Sequence, residues 1–138
     1  MSLPKNPVVI IPARLAATRL PGKILADIHG EPMIVHVWRR AVESSIGPVV
    51  VACAEKEIAE AVEAVGGQAV MTDPRHPSGS DRIFEALSTI DGARSYDAVV
   101  NVQGDLPAID PALIKAVLVP LADGSVDIAT LAFEIMDA

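Results

Sequence analysis

A doubly wound α/β sandwich built on a mostly parallel sheet is the fold this sequence predicts, and two patterns predict it. Its strand-like runs, among them "VVII" at Val8–Ile11 and "VVVAC" at Val49–Cys53, are apolar with no polar alternation. A strand without a polar side is buried on both faces, as in a parallel sheet covered by helices. Between those runs lie segments with a 3.6-residue apolar period, so strand and helix alternate along the chain.

Val8–Ile11 reads as a buried strand ended by Pro12, and residues 13–23 as loop. Pro32–Ser45 reads as a helix with Pro32 in its first turn and Ile34, Val37, Trp38 and Ala41 on one face. Val49–Cys53 is a second strand. Glu55–Val65 is a helix, apolar at Ile58, Ala61, Val62 and Val65 and stopped by Gly66-Gly67. A short strand, Gln68–Met71, precedes a helix over Ser78–Ile90 with Ile83, Phe84 and Leu87 on one side. Tyr96–Val102, Pro111–Leu121 and Asp127–Leu131 complete the series as strand, helix and strand. Ligands of such sheets bind beyond the carboxyl ends of the strands, near the point where strand order reverses. The segments leaving Val8–Ile11 and Tyr96–Val102 are therefore expected to open on the same edge.

The 138 residues suit one domain with a real core. Aromatics make up only 3% of the chain, so Val, Ile, Leu and Ala must build that core. No apolar run is long enough to cross a bilayer, and no secretion signal follows Met1. Cys53 is the single cysteine, set in an apolar run; it reads as a buried structural thiol in a reducing compartment. The net charge of −7 is unevenly spread. Residues 1–40 hold six Lys/Arg against two acids, and three of those cations fall within Arg14–Lys23. A general nucleic-acid or membrane binder would carry a broad basic face. Positive charge this local suits a small anion.

Three segments carry the candidate chemistry. In "RLAATRLPGK", Arg14, Arg19 and Lys23 offer the groups that hold phosphate oxygens, while Gly22 lets backbone approach closely. The spacing is neither a Walker loop nor a dinucleotide glycine loop, and a solvated basic loop is the plain reading beside the anion site. In "VVNVQGDLP", Asp105 just past a buried strand is either a turn residue or a Mg²⁺ ligand, since Mg²⁺ takes one or two carboxylates plus phosphate oxygens. Gln103 beside it has donor and acceptor for a base or sugar. In "HPSGSDR", Ser78 and Asp81 read as a helix cap or, with Gly79 and Ser80, as an anion- or base-binding helix start. Arg82 either faces a ligand or pairs with Glu85. His76 reads as structural, and His29 and His36 as surface positions. No zinc spacing and no nucleophile elbow is seen.

Taken in order, "IPAR" (Ile11–Arg14), "TRLPGK" (Thr18–Lys23), "PMIVHV" (Pro32–Val37), "SGSDR" (Ser78–Arg82) and "NVQGD" (Asn101–Asp105) resemble the 3-deoxy-manno-octulosonate (Kdo) cytidylyltransferases, the CMP-Kdo synthetases. The resemblance implies a Rossmann-like three-layer sandwich of the nucleotide-diphospho-sugar transferase type. It implies that CTP and Kdo yield CMP-Kdo and pyrophosphate with Mg²⁺ as cofactor, for lipopolysaccharide biosynthesis in the cytoplasm, by a homodimer at full length. Arg14, Lys23 and Asp105 are then the catalytic set, with Asp105 on the metal. Arg14, Arg19, Gly22, Lys23, Ser78, Gly79, Ser80, Arg82 and Gln103 are the nucleotide-binding set. Residues 1–138 are expected to be the nucleotide-binding N-terminal part of a cytidylyltransferase domain, with the C-terminal half absent and this chain alone inactive. Two departures stand out: Ala17 where the family usually has serine, and Leu106 where it usually has an acid after "QGD". A non-catalytic CTP-binding module and a cytidylyltransferase for another acidic sugar, such as sialic acid, are the alternatives.

Overall fold

A computed structural model describes residues 7–15, 23–75, 79–90, 96, 98–102, 111–116 and 128–130. Five strands form one sheet: β1 (Pro7–Ala13), β4 (Val49–Cys53), β5 (Gln68–Met71), β6 (Ala98–Asn101) and β7 (Ile128–Thr130). Their order is β5-β4-β1-β6-β7, and every neighbouring pair is parallel. The doubly wound parallel sheet read from the sequence is therefore present.

All seven residues of β1 are buried, which follows from its central place. Its side chains point alternately to two cores. Val9, Ile11 and Ala13 join Val51, Cys53 and Val100 under helices α1 (Met33–Glu43), α2 (Lys56–Glu63) and α4 (Pro111–Ala116). Val8 and Ile10 join Val50, Ala52 and Val99 under α3 (Gly79–Ile90). Fully burying a Val or Ile side chain stabilises by about 1.5–3 kcal/mol. The two-sided burial of β1 is thus a large share of what holds these layers together.

Helix boundaries fall slightly inside the expected ones. Pro32 sits at the cap position before α1, with φ −60°, rather than within the first turn. The α2 helix ends as the two glycines predict. Gly66, at φ 89°, donates to the Glu63 carbonyl at 3.0 Å, and Gly67 donates to the Val62 carbonyl at 3.0 Å. This pair of bonds is a Schellman ending, which satisfies carbonyls that the helix leaves open.

Three expectations need correction. Residues 13–23 are not all loop, since Ala13 ends β1 and Lys23 opens a 3-10 turn, Lys23–Leu25; beyond it β2 (Asp27–Ile28) pairs with β3 (Glu31–Pro32) as a small hairpin. His29 and Gly30 form its tip with φ 52° and 89°, the two positive values that a tight two-residue turn demands. His36 is not a surface residue either. It is half-buried, and its Nε2 donates to the Ile28 carbonyl at 2.6 Å, clasping the hairpin to α1. Finally, Phe84 does not share the buried side of α3; it is 60% exposed, and Arg82, Ile83 and Ala86 take that side.

Candidate nucleotide site

Parallel pairing of β1 with both β4 and β6 brings three strand ends to one rim. The Val102 amide donates to the Ile10 carbonyl at 3.2 Å, so the chain entering "QGD" leaves directly beside the chain entering the basic loop. The carboxyl ends of the two strands expected to open on the same edge do lie on one edge. The order reverses here as well, since β4 and β5 lie on one side of β1 and β6 on the other.

Arg14 is the first residue past β1 and is exposed. Its backbone is held from both sides. The Ala54 amide donates to the Ala13 carbonyl at 3.1 Å, and the Leu15 amide donates to Glu55 Oε1 at 2.9 Å. Across the rim, Arg82 in the first turn of α3 is only 2% exposed. Its Nη1 donates to Thr72 Oγ1 at 2.6 Å and to the Asp73 carbonyl at 3.2 Å. Thr72 Oγ1 in turn donates to the Cys53 carbonyl at 3.0 Å, and the Asp73 amide donates to Glu85 Oε1 at 2.9 Å. A guanidinium thus ties the ends of β4 and β5 to the start of α3.

Burial lowers the Arg82 pKa from its ordinary value, and the Arg14 charge lowers it further; Glu55 and Glu85 pull the other way. The two arginines are close enough to feel each other, with Glu55 in the same field. The repulsion that Arg82 feels from the Arg14 charge is relieved by an anion bound near them.

Of the residues singled out in the sequence, Arg14 and Arg82 come together. Lys23, Gly79 and Ser80 are placed by backbone only, Lys23 at the 3-10 turn and the other two at the start of α3. Arg19, Gly22, Ser78, Gln103 and Asp105 lie outside the described residues. Arg82 donates through Nη1 to Thr72 and the Asp73 carbonyl, and it also lies in the field of Glu85. Glu55 and Thr72 were missed. Glu55 lies two positions past β4 and Thr72 one position past β5, both at the ligand edge, and that position was the available signal.

The thiol of Cys53 is buried, its Sγ 3.5 Å from the Val70 carbonyl oxygen. Burial above all, then Glu55 and Glu63, push its pKa up to about 11. It is a packing residue, as its apolar surroundings led one to expect. A cavity of about 360 Å³ lined by Trp38, Gly47, Val49, Gly67 and Gln68 opens at the starts of β4 and β5, the opposite edge. No helix among the described residues is long and apolar enough to cross a membrane.

This sheet and its cationic carboxyl rim define a doubly wound α/β protein of the nucleotide-handling kind. The chain belongs to the cytidylyltransferase family, whose sequence profile matches residues 8–138. It is 65% identical over 130 residues to the 3-deoxy-manno-octulosonate cytidylyltransferase of Paramagnetospirillum magneticum, covering 94% of this chain and 53% of that one. It is 69% identical over 126 residues to the Methylorubrum populi enzyme of the same name, covering 91% of this chain and 51% of that one. Among solved structures, a CMP:2-keto-3-deoxy-manno-octonic acid synthetase complexed with CTP superposes with a TM-score of 0.79 at 40% identity, over 87% of this chain and 48% of that one. The chain spans about half the length of the curated relatives it matches.

Proposed function

We propose that this chain is the nucleotide-binding N-terminal part of an enzyme that transfers CMP from CTP to Kdo, releasing pyrophosphate. One observation carries the reading: β1 and β6 are adjacent parallel strands, so the basic loop and the Asp105 segment issue from one rim beside Arg82. The names of the relatives, and the CTP in the related synthetase, support the choice of nucleotide and sugar.

In this reading the Kdo anomeric hydroxyl attacks the α-phosphorus in line with departing pyrophosphate. Phosphoryl transfer of this kind needs positioning and charge neutralisation more than covalent help. Arg14, Arg19 and Lys23 hold the β- and γ-phosphates, and Lys23 stabilises the leaving group as charge moves onto it. Gly22 lets the backbone approach the phosphates closely. Ser78, Gly79 and Ser80 present backbone and hydroxyl groups to the base, and Gln103 contacts base or sugar. Arg82 holds the rim that carries them. Mg²⁺ takes most of its ligands from phosphate and water, so one carboxylate such as Asp105, four residues after β6 in the sequence, would suffice to hold it beside a phosphate-binding loop. When bound, Mg²⁺ supplies Lewis-acid stabilisation of the phosphate and a lower pKa for the attacking hydroxyl. The same reading places the enzyme in the cytoplasm, as a homodimer serving lipopolysaccharide synthesis.

The test is a titration of CTP and UTP, each with Mg²⁺, followed by pyrophosphate release from the intact protein with Kdo or sialic acid as acceptor. Tighter binding of CTP and release driven by Kdo are expected. Equal affinity for the two nucleotides removes the cytidine assignment.

A further inference from the structure

We propose that Glu55 is a positioning residue for the cationic loop, acting on Arg14 through the Leu15 backbone; the proposal rests on the nucleotide-site reading above. Glu55 stands between β4 and α2, at the position where a side chain ordinarily caps a helix. It makes no capping bond. Its carboxylate turns to the neighbouring strand end and accepts the Leu15 amide at 2.9 Å, forty residues earlier in the chain.

The geometry shows what that bond does. β1 and β4 pair as far as Ala13 and Cys53, and the Ala54 amide adds one more bond to the Ala13 carbonyl. Beyond this the backbone ladder stops, and the Glu55 side chain supplies the next rung. Arg14 therefore sits between two fixed points, the Ala13 carbonyl and the Leu15 amide. Its Cα leaves the sheet in one direction only.

Charge makes the placement informative. A carboxylate in the field of Arg82 and beside Arg14 opposes any anion bound there. If Glu55 acted through charge, removing that charge would only help phosphate binding. Its benefit has to come from the hydrogen bond, and the two contributions separate by substitution. Glu55→Gln keeps an oxygen that accepts the Leu15 amide and loses the charge. Glu55→Ala loses both.

The experiment measures two things in the intact protein: hydrogen exchange of the Leu15 amide, and affinity for inorganic pyrophosphate. In Glu55→Ala, exchange at Leu15 is expected to accelerate about tenfold or more, and pyrophosphate affinity to fall by about tenfold, the scale of one lost hydrogen bond to a charged group. In Glu55→Gln, Leu15 stays protected and pyrophosphate binds at least as tightly as in the parent. This rescue by the amide is what a role in bulk stability or net charge does not give. Equal losses in the two variants, or unchanged Leu15 exchange in Glu55→Ala, overturn the proposal. Should Glu55→Ala fail to fold, Glu55→Gln decides alone: undiminished pyrophosphate affinity with Leu15 protected upholds it, and a tenfold loss overturns it. The cytidine reading fails separately, by a parent that binds CTP and UTP alike, and the Leu15 exchange result does not depend on it.

Discussion

Arg82 Nη1 donates to Thr72 Oγ1 at 2.6 Å, and that hydroxyl passes the connection on to the Cys53 carbonyl at 3.0 Å. Three elements, β4, the end of β5 and α3, meet at one threonine. Thr72 is 5% exposed and Arg82 is 2% exposed, so water cannot readily replace either bond. Thr72→Val keeps the shape and removes the hydroxyl, leaving a charged donor short of a partner. The expected loss is about 2 kcal/mol in urea unfolding, in the range for hydrogen bonds to charged groups. Thr72→Ser should recover most of it. A Thr72→Val protein as stable as the parent would show that Arg82 is held by other groups.

The end of α2 offers a comparison between two adjacent glycines. A Cβ on Gly67 would lie 2.6 Å from Val62 Cγ1 and 2.8 Å from Trp38 Nε1. A Cβ on Gly66 would meet nothing within 4 Å, but the backbone there has φ 89°. Gly67→Ala is an overpacking change and should cost about 1–3 kcal/mol, with a shift in Trp38 fluorescence because the indole has to move. Gly66→Ala should cost about 1–2 kcal/mol through backbone strain alone, with the Trp38 spectrum unchanged. Measured unfolding curves and emission spectra separate the two mechanisms.

These positions also show where the sequence was readable. Val8–Ile11 and Val49–Cys53 announced a parallel sheet because burial on both faces leaves no room for polar alternation. Gly66-Gly67 announced a helix end because a left-handed residue is needed there. Phe84 is apolar and stands three residues before Leu87, so the periodicity of α3 puts it on the apolar side with Ile83 and Leu87. Arg82 faces inward, so the buried side runs through Arg82, Ile83 and Ala86, and Phe84 falls outside it. His36 was misplaced because its partner, the Ile28 carbonyl, belongs to a hairpin whose strands are two residues each, too short to leave a pattern. At the rim, Arg14 was legible as a cation after a strand, whereas Glu55 and Thr72 act through backbone groups that no side-chain motif names.

Cys53 predicts a pH dependence with a definite sign. Its folded pKa is about 11, above the ordinary thiol value of 9.0, chiefly because burial disfavours the thiolate. The folded state therefore holds the thiol proton more tightly than the unfolded state does. This contribution is fully present below pH 9.0 and is lost as pH rises through about 11. Unfolding free energy measured from pH 8 to 11 should fall more steeply in the parent than in Cys53→Ala, after allowing for the packing loss that the smaller side chain brings at every pH. Parallel curves would mean that the thiol ionises as easily folded as unfolded. In the folded protein at pH 8, a thiol reagent should modify Cys53 only as fast as the chain opens.

The last prediction concerns the division of labour within the basic loop. Lys23 stands at the 3-10 turn, where the loop that begins at Arg14 rejoins the described fold. In the proposed reaction its ammonium meets the phosphates as charge moves onto departing pyrophosphate, so its interaction strengthens in the transition state. Lys23→Ala in the intact enzyme should then lower kcat by two to three orders of magnitude, about 3–4 kcal/mol, the scale of removing one preorganised donor. Arg14→Ala should act differently. Arg14 lies on the rim beside Arg82, where its charge already bears on the neighbouring guanidinium before any nucleotide arrives. In the proposed site Arg14 holds phosphate oxygens that carry their charge in substrate and transition state alike, so its loss raises the KM for CTP and leaves kcat nearly unchanged. Steady-state kinetics over a range of CTP concentrations separate the two outcomes. If Lys23→Ala raised KM alone while Arg14→Ala lowered kcat, the roles would have to be exchanged, and the departing pyrophosphate would be placed on the β1 side of the rim.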